Sequence, residues 1–448
     1  MQVLRRVGRL MPSPRPVPTI IQHVIVVLFW MLPLMDALTG WLWWNGVRES
    51  IVFKYPIALM ALVLATALIY GAYGKGEWVL LGTIAVIGGV NLLVNMLWMP
   101  EFAFNTYGIT GLAGIAFAQS VYSMLKKRIA TGETFHRILR GVSFIAPLTL
   151  IVPQLLGVGY PAYFYGEGHP ANYGYLGFYA SSNEINAALI ICLGYCFSQL
   201  YKRQSWQMLL AAAFLTYSSC QIQSRSSIVL CAVEWFAFLI ALVLQKDRKK
   251  QFLISMAVCA SLVILLIPDL KAFAEKQVQS LENTPIEMEN RLENNLTNGR
   301  FDRIWDTPEL MDDSVKDKEE FQSMQLYPWI GSFFSNYEVL GISEMDFVDA
   351  LKGFGVFGCV LFCAFYGWAG LRTYFAQRRL ACCFGLLCVY AFAFLTGHIL
   401  FTWSQVMYLG IYATALMTGP IMGTPRYWRW LPPKLRGKLD AANFAVCE

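Results

Sequence analysis

The sequence predicts an all-α fold: a polytopic membrane helical bundle of about 12 transmembrane helices with one large outer loop. Three observations carry this expectation. Of the 448 residues, 56% are hydrophobic, 15% aromatic and only 14% charged, where an ordinary soluble domain carries about 25% charged. Apolar runs recur along the chain at the ~20-residue length that a helix needs to cross a bilayer. Lys and Arg gather in alternate connections between those runs, which is the positive-inside pattern.

Taken in order, the apolar runs are roughly 19–44, 55–72, 78–98, 107–125, 139–157, 176–200, 206–222, 226–245, 252–268, 347–371, 380–398 and 403–422. The first follows a basic arm with Arg5, Arg6, Arg9 and Arg15. It is too long for a signal-peptide core and no small-residue cleavage site follows it, so an uncleaved signal anchor is expected. Aromatic residues mark several ends, as at Trp41, Trp43, Trp44, Trp78, Trp98, Tyr201 and Trp206, which suits the two membrane interfaces. Three units result: an N-terminal bundle of about nine spans (1–268), an outer segment (269–345), and C-terminal spans with a basic tail (346–448).

Orientation follows from the cations. The arm, Lys75, 126–140, Lys202-Arg203, 246–250, 372–379 and the tail from Arg426 to Lys438 hold 24 of the 35 Lys and Arg. That side is expected to be cytoplasmic, with both termini on it. The connections 99–106 and 158–175 hold none, while 45–54 departs from the pattern with Arg48 and Lys54. A net charge of +6 distributed in this way points to topology and excludes nucleic acid as the partner; the bilayer is the partner instead. The eleven cysteines fall mostly in apolar runs and none lies in 269–345, so buried thiols rather than a disulfide framework are expected.

The outer segment is the one long polar stretch. It carries 16 Asp and Glu against 7 Lys and Arg, a net of −9. Thr284-Pro285-Ile286-Glu287 and Thr307-Pro308-Glu309 read as helix starts, and Asn298-Gly299 as a turn. No repeat of fixed period is visible. The short 201–205 connection and the 72–77 loop lack the features of a transporter built from two six-helix halves.

Several residues in this frame carry chemistry. Arg225 stands at the outer end of the eighth run, either as a snorkelling anchor or as a guanidinium held against phosphate. Arg300 and Arg303 follow the Asn298-Gly299 turn and share a face if a helix begins there, which makes an anion site. Ser343-x-x-Asp346 is a capping-box pattern, so Asp346 serves either as the cap of the tenth span or in chemistry. Glu344 has no capping duty and is the candidate base, favoured if membrane or lipid desolvates it. Asp36, Glu184, Glu234, Asp349 and Lys352 lie within runs, where ionisable groups are costly and usually paired or functional. Glu184, beside Asn183, is expected about 12 Å below the outer surface, within reach of Arg225. Gly353, Gly355 and Gly358 permit close helix approach. His169 and His398 are the outward histidines, and no spacing suggests a metal.

In this order, these pieces resemble the O-antigen polymerase and O-antigen ligase family of bacterial envelope-polysaccharide enzymes. The matching features are the large late outer loop, Asn183 among small residues, Ser224-Arg225, Gly299-Arg300 and a final motif. In the ligases that motif is His, then Asn, Ser or Gln, nine residues, and Gly-x-x-Gly. Here Gly355-Val356-Phe357-Gly358 stands at the required distance from Glu344-Met345. Glu in the place of His looks more like the polymerase-type members. The resemblance implies a metal-independent glycosyltransferase without cofactors in the bacterial cytoplasmic (inner) membrane. It would polymerise undecaprenyl-pyrophosphate-linked oligosaccharide repeats on the outer face, alongside a chain-length regulator or a flippase. Arg225, Arg300 and Arg303 would then hold pyrophosphate, Glu344 and Asp346 would be catalytic, and Asn183 and Glu184 would support them. A ligase that transfers finished glycan to a lipid or protein is the alternative within the class. A polysaccharide or lipid flippase is the alternative outside it.

Overall fold

The computed structural model describes residues 15–47, 50–98, 106–163, 172–283, 345–377, 380–396 and 399–417. Within them the regular structure is helical and no strand occurs. The helices are α1 (Thr19–Trp44), α2 (Tyr55–Ile69), α3 (Lys75–Trp98), α4 (Thr106–Lys126), α5 (Gly132–Leu155) and α6 (Ser182–Lys202). They continue with α7 (Trp206–Gln221), α8 (Arg225–Val243), α9 (Lys249–Asn283), α10 (Asp346–Gln377), α11 (Leu380–Thr396) and α12 (Trp403–Met417). Nine helices among the described residues are long and apolar enough to cross a membrane, so the protein is an all-α membrane bundle. The other three, α7, α11 and α12, have 16, 17 and 15 residues. At ~1.5 Å per residue they reach only about 22–26 Å, short of a ~30 Å hydrocarbon core.

The two ends of the bundle differ in chemistry. At one end basic side chains close the helix termini. Arg248 donates to the carbonyls of Leu200 (3.2 Å) and Lys202 (2.9 Å) at the C-terminus of α6, where a cation also meets the negative end of the helix dipole. Lys127 donates to the Gly71 carbonyl at 3.2 Å, and burial holds its ammonium below the usual lysine range. Glu133 meets Arg137 and Arg140, and Glu77 meets Lys126. At the other end, tyrosines, tryptophans and glutamines take over. The described parts of the α5–α6 connection, 156–163 and 172–181, lie across that end as a strap, bridged at Tyr160–Gly177 and Tyr163–Tyr173. Tyr160 stacks on Trp44, and Trp44 donates to the Tyr179 carbonyl at 3.0 Å.

The core sits between α6 and α12, whose residues are buried almost throughout. Close approach there depends on glycine. A Cβ on Gly385 of α11 would lie 2.4 Å from the Cα of Gly194 on α6, so only Gly lets these helices touch. Outermost are α3 and α9, with Val86, Leu93, Leu97, Val263, Ile264 and Leu265 exposed, as lipid-facing surfaces should be.

Two elements depart from the sequence expectation. The run 176–200 begins as a helix only at Ser182, because Leu176 and Tyr179 are buried in the strap instead. Glu184 therefore stands in the first turn of α6 rather than about 12 Å down a helix. The apolar run ending near 268 is followed by more helix, since α9 continues through Pro268 to Asn283. Within α10, Gly355 breaks the helix with φ 64 and ψ −165. The freed Gly353 carbonyl is answered by Asn91 of α3, which donates to it at 2.8 Å.

Candidate functional site

Of the polar side chains that the sequence singles out, the strap end holds Arg225, Asn183, Glu184, Asp36 and Asp346. Arg225 is the first residue of α8 and is exposed. It is set there by Gln223, whose φ of 58 ends α7 in a left-handed turn. Ser224 is the N-cap residue, but its side chain makes no capping bond and instead meets the Ser226 hydroxyl at 3.1 Å. The backbone N–H groups of the first turn thus keep their anion-attracting character next to a guanidinium. Ser227, the third residue of α8, is fully buried and its hydroxyl has no hydrogen-bond partner among the described residues.

Around Arg225 runs a network that sequence reasoning missed. Gln154 of α5 donates to Gln221 Oε1 at 3.0 Å, and Gln221 donates to Asp269 Oδ2 of α9 at 2.8 Å. Tyr217 donates to Gln154 Oε1 at 3.2 Å. Gln223 receives the Gly174 N–H at 3.2 Å, and Tyr175 donates its N–H to the Gln221 carbonyl at 2.8 Å. Lys276 donates to the Asn172 carbonyl at 2.7 Å and lies over the Tyr173 ring. Burial pushes the Tyr175 phenol up to about 12 and raises Tyr179 as well. The strap is therefore tied to the end of α7 by amide and backbone groups and to α9 by the Lys276 ammonium. The available signal was glutamine at the ends of apolar runs, Gln154 and the Gln221-x-Gln223 pair.

Asp346 opens α10 and is fully buried. Its Oδ2 accepts the backbone N–H groups of Ile399 and Leu400, each at 2.9 Å. The carboxylate thereby fixes the α11–α12 connection to the start of α10, a duty the capping-box reading did not foresee. Asn183 and Glu184 are half-buried in the first turn of α6. Gln405 of α12 donates to the Glu184 carbonyl at 2.9 Å. No salt bridge joins Glu184 to Arg225 among the described residues; its electrostatic neighbour is Asp36. Asp36 accepts from the Ser404 hydroxyl at 2.9 Å. Glu344, Arg300, Arg303, His169 and His398 lie outside the described residues.

A comparison with protein-family models finds no match, and a comparison with curated proteins finds none either. Chemistry must therefore be read from the site itself.

Mid-bundle, Glu234 on α8 is 2% exposed and neither carboxylate oxygen has a hydrogen-bond partner among the described residues. No group of three or more His, Cys, Asp or Glu side chains is placed to hold a metal among those residues. What the strap end offers is a guanidinium on a helix N-terminus and a rim of aromatic and amide groups. Those groups suit an anionic head carrying hydroxylated substituents, held at a membrane surface.

Proposed function

We propose that this protein is a membrane glycosyltransferase that polymerises undecaprenyl-pyrophosphate-linked oligosaccharide repeats at the outer face of the bacterial cytoplasmic membrane. Twelve spans and a cytoplasmic location of both termini complete the reading, with the strap end outside. The observation that carries it is Arg225, exposed on the N-terminus of α8 beside the Gln221–Asp269 network.

In the reaction, an acceptor hydroxyl attacks the anomeric carbon of the lipid-linked glycan. The bond from that carbon to the pyrophosphate oxygen breaks, and the lipid pyrophosphate leaves with both electrons. Arg225, with Arg300 and Arg303 from the outer segment, neutralises the charge that develops on the leaving group. Glu344 takes the hydroxyl proton. Asp346 holds the 399–400 connection against α10 and so fixes the backbone from which Glu344 extends. Asn183 and Glu184 line the same end. Transfer of a finished glycan to a lipid or protein uses the same parts and differs only in the acceptor. An apparatus of this kind would work with a flippase that delivers the lipid-linked repeat and with a chain-length regulator.

The test is Arg225→Lys, which keeps the charge and loses the planar fork. A charge-assisted pair is worth about 1.5–3 kcal/mol, so turnover should fall by about 10- to 150-fold at matched protein level. A fully active Lys variant would reduce Arg225 to an anchor.

A further inference from the structure

Two acidic residues at the strap end are met by adjacent residues of one short helix, and no salt bridge reaches either acid among the described residues. Asp36 lies in the second half of α1 and Glu184 in the first turn of α6. The N-terminus of α12 joins them: the Ser404 hydroxyl donates to Asp36 Oδ1, and the next residue, Gln405, donates from Nε2 to the Glu184 carbonyl, each at 2.9 Å. Glu184 is an electrostatic neighbour of Asp36, and no Lys or Arg forms a salt bridge with either acid among the described residues.

Neutral oxygens complete the cluster. Gln405 is 3% exposed, and its Oε1 has no hydrogen-bond partner among the described residues. Tyr408, one turn beyond Ser404 and so on the same face of α12, is 1% exposed, and its hydroxyl has no hydrogen-bond partner among the described residues. Tyr408 interacts electrostatically with Asp36. Beside them Tyr179 donates to the Pro33 carbonyl at 3.1 Å and meets the Thr149 hydroxyl at 2.6 Å, which fixes α1 one turn before Asp36.

We propose that Asp36, Glu184 and Gln405 Oε1, with the Tyr408 hydroxyl, form a binding site for one hard divalent cation of the Ca²⁺ or Mg²⁺ type. Such ions take carboxylate, amide-carbonyl and water oxygens, and both acids are only half-buried, so water can complete the shell. Charge selects the valence. Two carboxylates neutralise a divalent ion, whereas a monovalent ion leaves a net negative charge that no basic side chain among the described residues pairs with. A proton shared between the acids would leave the Gln405 and Tyr408 oxygens unanswered, which is costly when buried. Only two ligands are carboxylates, so the site contains no trio of His, Cys, Asp or Glu. The site would tie α1, α6 and α12 together at the strap end, and it stands apart from the glycosyltransferase reading.

The experiment uses the full-length protein in lipid nanodiscs, stripped with chelator. Tb³⁺ serves as a luminescent stand-in for Ca²⁺, excited through the neighbouring tyrosines, and radioactive Ca²⁺ gives the stoichiometry. The expected result is one Ca²⁺ per chain, displacing Tb³⁺ luminescence. Asp36→Asn and Glu184→Gln should each weaken binding at least about tenfold, since affinity follows the number of charged ligands. Tyr408→Phe removes a hydroxyl that has no hydrogen-bond partner among the described residues, so it should fold normally and weaken binding by about two- to fivefold. It keeps the test decisive if an acid variant fails to fold. Absence of Ca²⁺ and Tb³⁺ binding by the folded wild type would overturn the proposal. So would binding unchanged in Glu184→Gln or Tyr408→Phe, or saturable Na⁺ binding in place of Ca²⁺.

Discussion

Replacing Asp346 probes the joint on which the proposed site is built. Its Oδ2 accepts two backbone N–H groups, from Ile399 and Leu400, at 2.9 Å each, and the residue is fully buried. Asp346→Ala leaves both N–H groups buried without an acceptor, at about 1–3 kcal/mol apiece, so about 2–6 kcal/mol in all. Asp346→Asn keeps an oxygen in place but removes the charge. Bonds to charged groups are worth about 1.5–3 kcal/mol against about 0.5–1.5 for neutral ones, which gives a loss of about 2–3 kcal/mol over two bonds. The assay is thermal unfolding in detergent followed with a thiol-reactive fluorophore. Cys192, Cys196, Cys231, Cys382 and Cys388 are buried and report the loss of helix packing. The expected order of stability is wild type, then Asn, then Ala. Glu344→Gln should unfold with wild type, because Glu344 is assigned chemistry and not support. An Asp346→Ala protein as stable as wild type would refute the structural duty of this carboxylate.

Three further outcomes follow from the same coordinates. Gly355→Ala forces a Cβ into a backbone region that only Gly occupies readily, so it should cost about 1–3 kcal/mol in the same unfolding assay; no loss would mean that α10 runs unbroken. Glu234→Leu removes a buried, unpartnered carboxyl and should leave the unfolding temperature unchanged or raised, whereas a large loss would reveal a partner supplied by the outer segment. Single cysteines at the exposed positions Val158 and Arg203 should react with an impermeant maleimide from opposite sides, Val158→Cys in intact cells and Arg203→Cys only after permeabilisation. Labelling of Arg203→Cys from outside would invert the topology.

The helical fold was legible because a bilayer imposes a simple rule on the chain: backbone groups must be satisfied within each segment, so apolar length reports helices directly. That rule is silent where an apolar stretch folds as irregular backbone under protein cover, as at 176–181, where Leu176 and Tyr179 are buried without forming helix. It also cannot separate a full crossing from a short, wholly buried helix such as α12, since both are apolar. At the site, Arg225 could be found because charge at a membrane boundary is rare. The Gln154–Gln221–Asp269 network was harder to find, because its members are distant in sequence and its two neutral amides leave only their position at the ends of apolar runs as a signal. Asp346 shows the same limit: a capping box is a local pattern, while the N–H groups it answers lie more than fifty residues away.

The most direct measurement is chain extension by purified protein. The full-length chain, reconstituted in liposomes with an undecaprenyl-pyrophosphate-linked oligosaccharide and no nucleotide sugar, should convert single repeats into a ladder of lipid-linked polymers on a gel. Glu344→Gln should slow that conversion by about 10²- to 10⁴-fold while the single-repeat donor persists. A folded wild-type protein that binds the donor and never lengthens or transfers it would contradict the glycosyltransferase reading outright.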